Sequence, residues 1–179
     1  MVTTLRKATD MECDETMSDE AMIRRLQETL LTKIRGGEAC GPFYAAVVDA
    51  TGMVVAESAN SVVPSKCSHN HAEMNAIALA EKNLGTWNLA GHGLTLYTTA
   101  EPCMMCVGGI LGSGIGRVVS GVATEAVERI TGFDEGFKPN WQAEFAKRKI
   151  DVVGPVVPVV GEAVLAEYMR RQGIVYSPR

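Results

Sequence analysis

The sequence predicts a layered α/β domain with helices on both faces of one sheet. Three observations lead there. Strand-like and helix-like segments alternate along most of the chain. The 179 residues suit a single domain, large enough to bury a core without disulfide support. Apolar residues make up 46% and charged residues 21%, which is ordinary globular usage and argues against disorder, collagen or coiled coil.

Residues 1–17 read as a flexible N-terminal arm, because acids predominate from Asp10 to Glu20 without an apolar period. Residues 18–179 are expected to form one domain. The first helix starts at Ser18, a good N-cap, with Asp19 and Glu20 placed where the helix dipole favours acids. Ile23, Leu26, Leu30 and Ile34 mark its inner face, and Gly36 and Gly37 end it. Phe43 to Asp49 and Met53 to Ala59 form a strand pair around a Thr51-Gly52 turn. A polar loop from Asn60 to Asn70 contains Pro64. His71 to Lys82 is an Ala-rich helix, Gly91 to Gly93 a loop, and Leu94 to Thr98 a strand. Pro102 opens a helix running to about Leu111, where Gly112, Gly114 and Gly116 break it. Arg117 to Val122 is a strand and Glu125 to Ile130 a short helix. Residues 132–141 are irregular. A helical stretch, a short strand from Ile150 to Val153 and a helix from Glu162 to Arg171 complete the domain.

The net charge of −4 argues against the broad basic face that nucleic acids require. No apolar run reaches the ~20 residues of a membrane span, and no secretory signal is expected. Five cysteines, an odd number in a chain of this size, fit a reducing, cytoplasmic setting better than a disulfide scaffold.

The chemistry concentrates in two fragments, His71-Ala72-Glu73 and Pro102-Cys103-Met104-Met105-Cys106. Cysteines three apart on a helix share a face. A helix N-terminus favours thiolate, the metal-binding form, and Pro102 loses no needed N–H there. On its own that pair could also be a redox dithiol or two buried thiols. His71 adds a third ligand, and three ligands leave tetrahedral zinc one open position for water. Zinc brings the pKa of such a water toward ~7. Glu73, two residues from His71, points elsewhere and occupies a general acid/base position. HxE followed by PCxxC is the signature of zinc nucleobase deaminases.

On these motifs the sequence resembles the cytidine-deaminase-like superfamily over about residues 18–176. The resemblance implies a three-layer α/β/α fold with a five-stranded mixed sheet. It implies one Zn²⁺ per subunit held by His71, Cys103 and Cys106, with Glu73 as proton shuttle. It also implies a homodimer, with the C-terminal tail near the active site.

Further stretches narrow the substrate. Gly41-Pro42-Phe43, Asn60 and Ala100-Glu101-Pro102-Cys103 are shared with guanine deaminases and transfer-RNA adenosine deaminases. Gly132-Phe133-Asp134-Glu135 resembles the bacterial guanine deaminase and plant guanosine deaminase segment, though guanine deaminases commonly carry Asp where this chain has Glu135. The tail and the flanks of that segment resemble a bacterial subgroup that also accepts ammeline. This implies hydrolysis of guanine to xanthine and ammonia. Guanosine, ammeline and cytosine are alternative substrates. A transfer-RNA adenosine deaminase and a zinc-stabilised binding or redox module are more distant readings.

For guanine, Glu135 is expected to act as a second catalytic acid, with a solvated loop acid as the alternative. Asn60, able to donate and accept, matches a purine edge, with a turn cap as the alternative. Phe43 packs on the ring or in the core, the Ala72 N–H orients a carbonyl, and Tyr176 closes the pocket. Trp87, Trp141 and the Met104-Met105 pair are expected to be packing residues, and Cys67 a buried thiol that is not a ligand. His69 and His92 are expected in loops.

Overall fold

The computed structural model describes residues 17–137 and 140–176. Along them run α1 (Asp19–Gly36), β1 (Tyr44–Val48), β2 (Val54–Ala59), α2 (Val62–Ser65), α3 (Ala72–Leu84) and β3 (Thr95–Ala100). Then come α4 (Met104–Ser113), β4 (Arg117–Val122), α5 (Thr124–Thr131), α6 (Trp141–Lys147), β5 (Asp151–Val153) and α7 (Pro158–Arg170). Of the expected N-terminal arm only Met17 falls within the described residues, and it is exposed.

The five strands form one mixed sheet in the order β2-β1-β3-β4-β5. β1 is antiparallel to β2 and β3, whereas β3, β4 and β5 run parallel. The pleat sends alternate side chains to opposite faces. Ala45, Val47, Leu96 and Val118 join α3, α4 and α6 in one core. Tyr44, Ala46, Val48, Tyr97 and Val119 join α1, α5 and α7 in the other. This is the three-layer α/β/α arrangement with a five-stranded mixed sheet that the resemblance implied.

α1 follows its predicted signals. Ser18 accepts a hydrogen bond from the Ala21 amide, and Gly37 ends the helix at φ 76°, a left-handed conformation that a side chain would disfavour. Other elements depart from expectation. The loop after β2 contains the single turn α2, since Pro64 in a first helical turn removes no needed hydrogen bond. The helix expected from Pro102 opens at Met104. Glu101 is still bound to the sheet through its N–H to the Val122 carbonyl at 2.8 Å, so the chain turns only after Pro102 and Cys103 becomes the N-cap. Gly112 lies inside α4, and α7 starts one turn before Glu162, at Pro158. Trp141 packs at 5.2 Å from Phe145, as expected. Trp87 does not pack, lying 77% exposed in the turn after α3. Met104 and Met105 are also exposed, because Cys106, Val107 and Ile110 form the inner face of α4.

Strand register gathers the ends of four strands at one edge. Tyr44 pairs with Ala59, Ala45 with Thr98, and Ala100 with Val122. Phe43, Asn60, Glu101 and Ala123 therefore leave the sheet side by side, at the carboxyl ends of its parallel strands. Open α/β sheets bind ligands at this edge. Leu96, on the strand between β1 and β4, is fully buried. Leu96→Ala should cost about 2–5 kcal/mol of stability, read as a lower urea midpoint with an unchanged slope; an unmoved midpoint would contradict this core assignment.

Candidate active site

Two helix N-termini meet at this edge. His71 is the N-cap of α3 and Cys103 the N-cap of α4, both with extended backbones, and Cys106 lies in the first turn of α4. His71 Nδ1 is 3.4 Å from Cys103 Sγ and 3.7 Å from Cys106 Sγ, and the two sulfurs are 3.7 Å apart. Among the described residues this is the one cluster of three metal-ligating side chains. Zinc with bonds of about 2.3 Å to sulfur and 2.0–2.1 Å to nitrogen requires tetrahedral edges of about 3.5–3.8 Å, so the triangle fits zinc. Cys67 is half-buried rather than buried. Its Sγ lies against the exposed His69 ring at 3.3 Å, outside that cluster.

Hydrogen bonding within the triad shifts its two thiols in opposite directions. A hydrogen bond from Cys106, joined by one from His71, holds the Cys103 thiol down to about 4 against the effect of burial. The same hydrogen bond, with burial, pushes the Cys106 thiol up. Burial alone would lower His71, but the Cys103 hydrogen bond and the surrounding negative charges raise it.

A cavity of about 530 Å³ opens beside the triad. His71, Cys103, Glu73, Glu135, Phe43, Phe133 and Tyr176 all contribute to its walls. Glu73, in the first turn of α3, is only 6% exposed. Burial, then the nearby Cys103 charge, raises its pKa. Burial also raises Glu135, to about 7, helped by Cys103 and Glu73. Two acids that hold protons unusually well thus share one cavity with His71 and Cys103, as general acid/base chemistry requires.

The remaining predicted residues divide. Phe43 is half-buried and meets Phe133 edge-on at 5.5 Å, so it serves both wall and core. Tyr176 packs on Phe133 at 4.7 Å and faces the His71 ring at 6.2 Å. Its hydroxyl accepts a 2.7 Å hydrogen bond from Asn60 Nδ2. Asn60 is fully buried behind Tyr176, and its Oδ1 also accepts from the Val62 amide at 3.2 Å, as a turn cap would. Gly41 leaves the space that this amide needs. A Cβ there would sit 2.6 Å from Asn60 Oδ1. Ala72 is fully buried as the first residue of α3, where helical N–H groups lack helical acceptors. Neither Asn60 nor Ala72 lines the cavity itself. Sequence reasoning passed over Phe133, whose ring links Phe43 to Tyr176. Its signal was its place in the Gly132-Phe133-Asp134-Glu135 segment.

Residues 17–122 match the cytidine and deoxycytidylate deaminase zinc-binding region, a span that takes in all three candidate ligands. The chain belongs to this family and is a zinc-dependent hydrolase acting on a C–N bond. It is 35% identical over 122 residues to guanine deaminase of Bacillus subtilis (strain 168), covering 68% of this chain and 74% of that protein. The transfer-RNA-specific adenosine deaminase of the same bacterium is 43% identical over only 76 residues, 46% of its length. Guanine deaminase from Nitrosomonas europaea superposes with a TM-score of 0.78 at 32% identity, covering 93% of this chain and 98% of that one. A structure in complex with 2,6-diaminopurine superposes with a TM-score of 0.81 at 36% identity, over 90% of this chain and 86% of that one.

Cys103→Ala should abolish stoichiometric zinc binding, measured by elemental analysis after dialysis. A fully loaded variant would remove Cys103 from the ligand set.

Proposed function

We propose that the protein hydrolyses guanine to xanthine and ammonia, with zinc held by His71, Cys103 and Cys106. The observation that carries this reading is the convergence of Glu73 and Glu135 on one aromatic-walled cavity beside the metal triad. The guanine deaminase relatives support it, as does the related structure that holds a 2-amino purine.

Zinc held by His71, Cys103 and Cys106 would supply a water whose pKa is brought close to neutrality. Glu73, in the cavity wall beside His71 and Cys103, would take a proton from the attacking water and pass it to a ring nitrogen as the C2–O bond forms. Glu135 holds the 2-amino group and protonates it as the C2–N bond breaks. The proton released when C2–OH becomes C2=O restores Glu135. Phe43 and Phe133 pack against the ring. The Asn60 amide, able to donate and accept, matches a purine edge. That amide is satisfied by the Tyr176 hydroxyl, so a base reaching Asn60 takes the place of this tyrosine contact. Polar groups matched to one base edge reject analogues that leave them unpaired. The Ala72 N–H orients a carbonyl, and Tyr176 covers the site.

This reading treats residues 18–179 as one domain whose tail returns to the site. It places the protein in a reducing cytoplasm, supported by the odd count of five cysteines in a chain of this size. It also takes the protein as a homodimer, supported by exposed apolar Met104, Met105 and Phe137 near the cavity. No helix among the described residues is long and apolar enough to cross a membrane.

Glu73→Ala should retain zinc and fold while losing about 10²–10⁴ in kcat, measured as ammonia release. Retained turnover would end its role as proton shuttle. Glu135→Gln should lower kcat by more than about tenfold, since removing one charge-stabilising group often costs more. Unchanged kinetics would return Glu135 to an ordinary loop acid.

A further inference from the structure

Glu101 lines the same cavity as Cys103 and Glu135, yet it belongs neither to the metal triad nor to the pair of acids. It stands where β3 ends and the cysteine-bearing turn begins. Its two carboxylate oxygens point to different helices. Oε2 accepts a 2.9 Å hydrogen bond from the Thr124 N–H, the first amide of α5. Oε1 lies 3.5 Å from Gln142 Nε2 on α6. The first of these contacts satisfies an amide at the start of α5 that has no helical acceptor. Ala123, at the N-cap of α5, has no side-chain oxygen to offer. A carboxylate from the end of β3 binds that helix start through its first amide instead, where the helix dipole favours negative charge.

The contact matters because of the segment that α5 leads into. The helix ends at Gly132 in the left-handed conformation, φ 74°, and the chain passes directly to Phe133 and Glu135. α6 begins on the far side of the same segment. One carboxylate thus ties the turn that carries Cys103 to both helices flanking the segment that carries Glu135.

We propose that Glu101 is a positioning residue for deamination, fixing Glu135 against the metal triad by capping α5. The inference rests on the catalytic role given to Glu135 above. Glu101 acts through geometry and touches no reacting atom. Loss of its contact to α5 lets the 132–135 segment shift, and a displacement of even 1 Å at a reacting group costs up to about 10²-fold in rate.

The test uses zinc-loaded full-length protein and three substitutions, each made alone and combined with Glu135→Gln. Glu101→Ala removes the acceptor. Thr124→Pro removes the donor at a first helical position that tolerates proline, after an Ala123 whose φ of −68° and ψ of 148° suit a residue preceding proline. Glu101→Gln keeps an oxygen for the Thr124 N–H. Glu101→Ala and Thr124→Pro should each lower kcat about tenfold, with KM within about threefold and zinc stoichiometric. Glu101→Gln should stay within about threefold of the parent, because its amide oxygen still caps the helix. In the Glu135→Gln background each should lower kcat by less than about twofold, since residues acting through one another are not additive.

Full additivity with Glu135→Gln would overturn the inference, and so would zinc loss or failed folding in Thr124→Pro, which would make the contact merely structural. If Glu135→Gln is impaired while Glu101→Ala and Thr124→Pro are fully active, the inference alone falls. If Glu135→Gln is itself fully active, the catalytic reading of Glu135 falls and takes the inference with it.

Discussion

Three candidate ligand atoms from two distant stretches of chain come within 3.4–3.7 Å of one another because the N-termini of α3 and α4 meet at one edge of the sheet. This meeting is the constraint that shapes the rest of the site. Each helix start offers unpaired N–H groups and a positive dipole end, which favour thiolate and carboxylate. α3 and α4 pack on the same face of the sheet, over the neighbouring strands β1 and β3. Phe43, Asn60 and the segment after α5 reach the same place because the strands before or after them end in register.

The electrostatics arise from that convergence. Burial raises Glu73 and Glu135, and the low-lying Cys103 thiol raises them further. Negative groups crowded into a half-buried cavity oppose one another's ionisation, and a divalent cation at the triad relieves this opposition. The carboxylates then differ by location. Glu73 belongs to the helix that carries His71, whereas Glu135 is delivered by the segment after α5. The first is held to the metal site by its own helix. The second depends on contacts that tie α5 and α6 to the cysteine-bearing turn.

Much of this was legible in the sequence where short-range signals decide. The Ser18 cap, the apolar face of α1 and the glycine stop gave the first helix, and the paired apolar runs gave the β1–β2 hairpin. The metal triad was legible because His71-Ala72-Glu73 and Pro102-Cys103-Met104-Met105-Cys106 are local spacings with a chemical meaning. Other features depend on tertiary packing. Met104 and Met105 looked like core because they are apolar, but the side of α4 that faces inward is set by Cys106, Val107 and Ile110. Trp87 was misread for the same reason, being large and apolar in a turn with nothing packed over it. α2 is one turn long, too short for any period to show. The contact between Asn60 and Tyr176 spans 116 residues, and the role of Phe133 as a bridge between two rings is equally nonlocal.

The cavity beside the triad is matched to a 2-amino purine base. The most direct measurement is ammonia release by zinc-loaded protein supplied in parallel with guanine, guanosine, ammeline, adenine, cytosine and cytidine. Guanine should give the highest kcat/KM and yield xanthine, with both nucleosides idle. Preferred turnover of cytosine or guanosine would contradict the substrate assignment while leaving the metal chemistry in place.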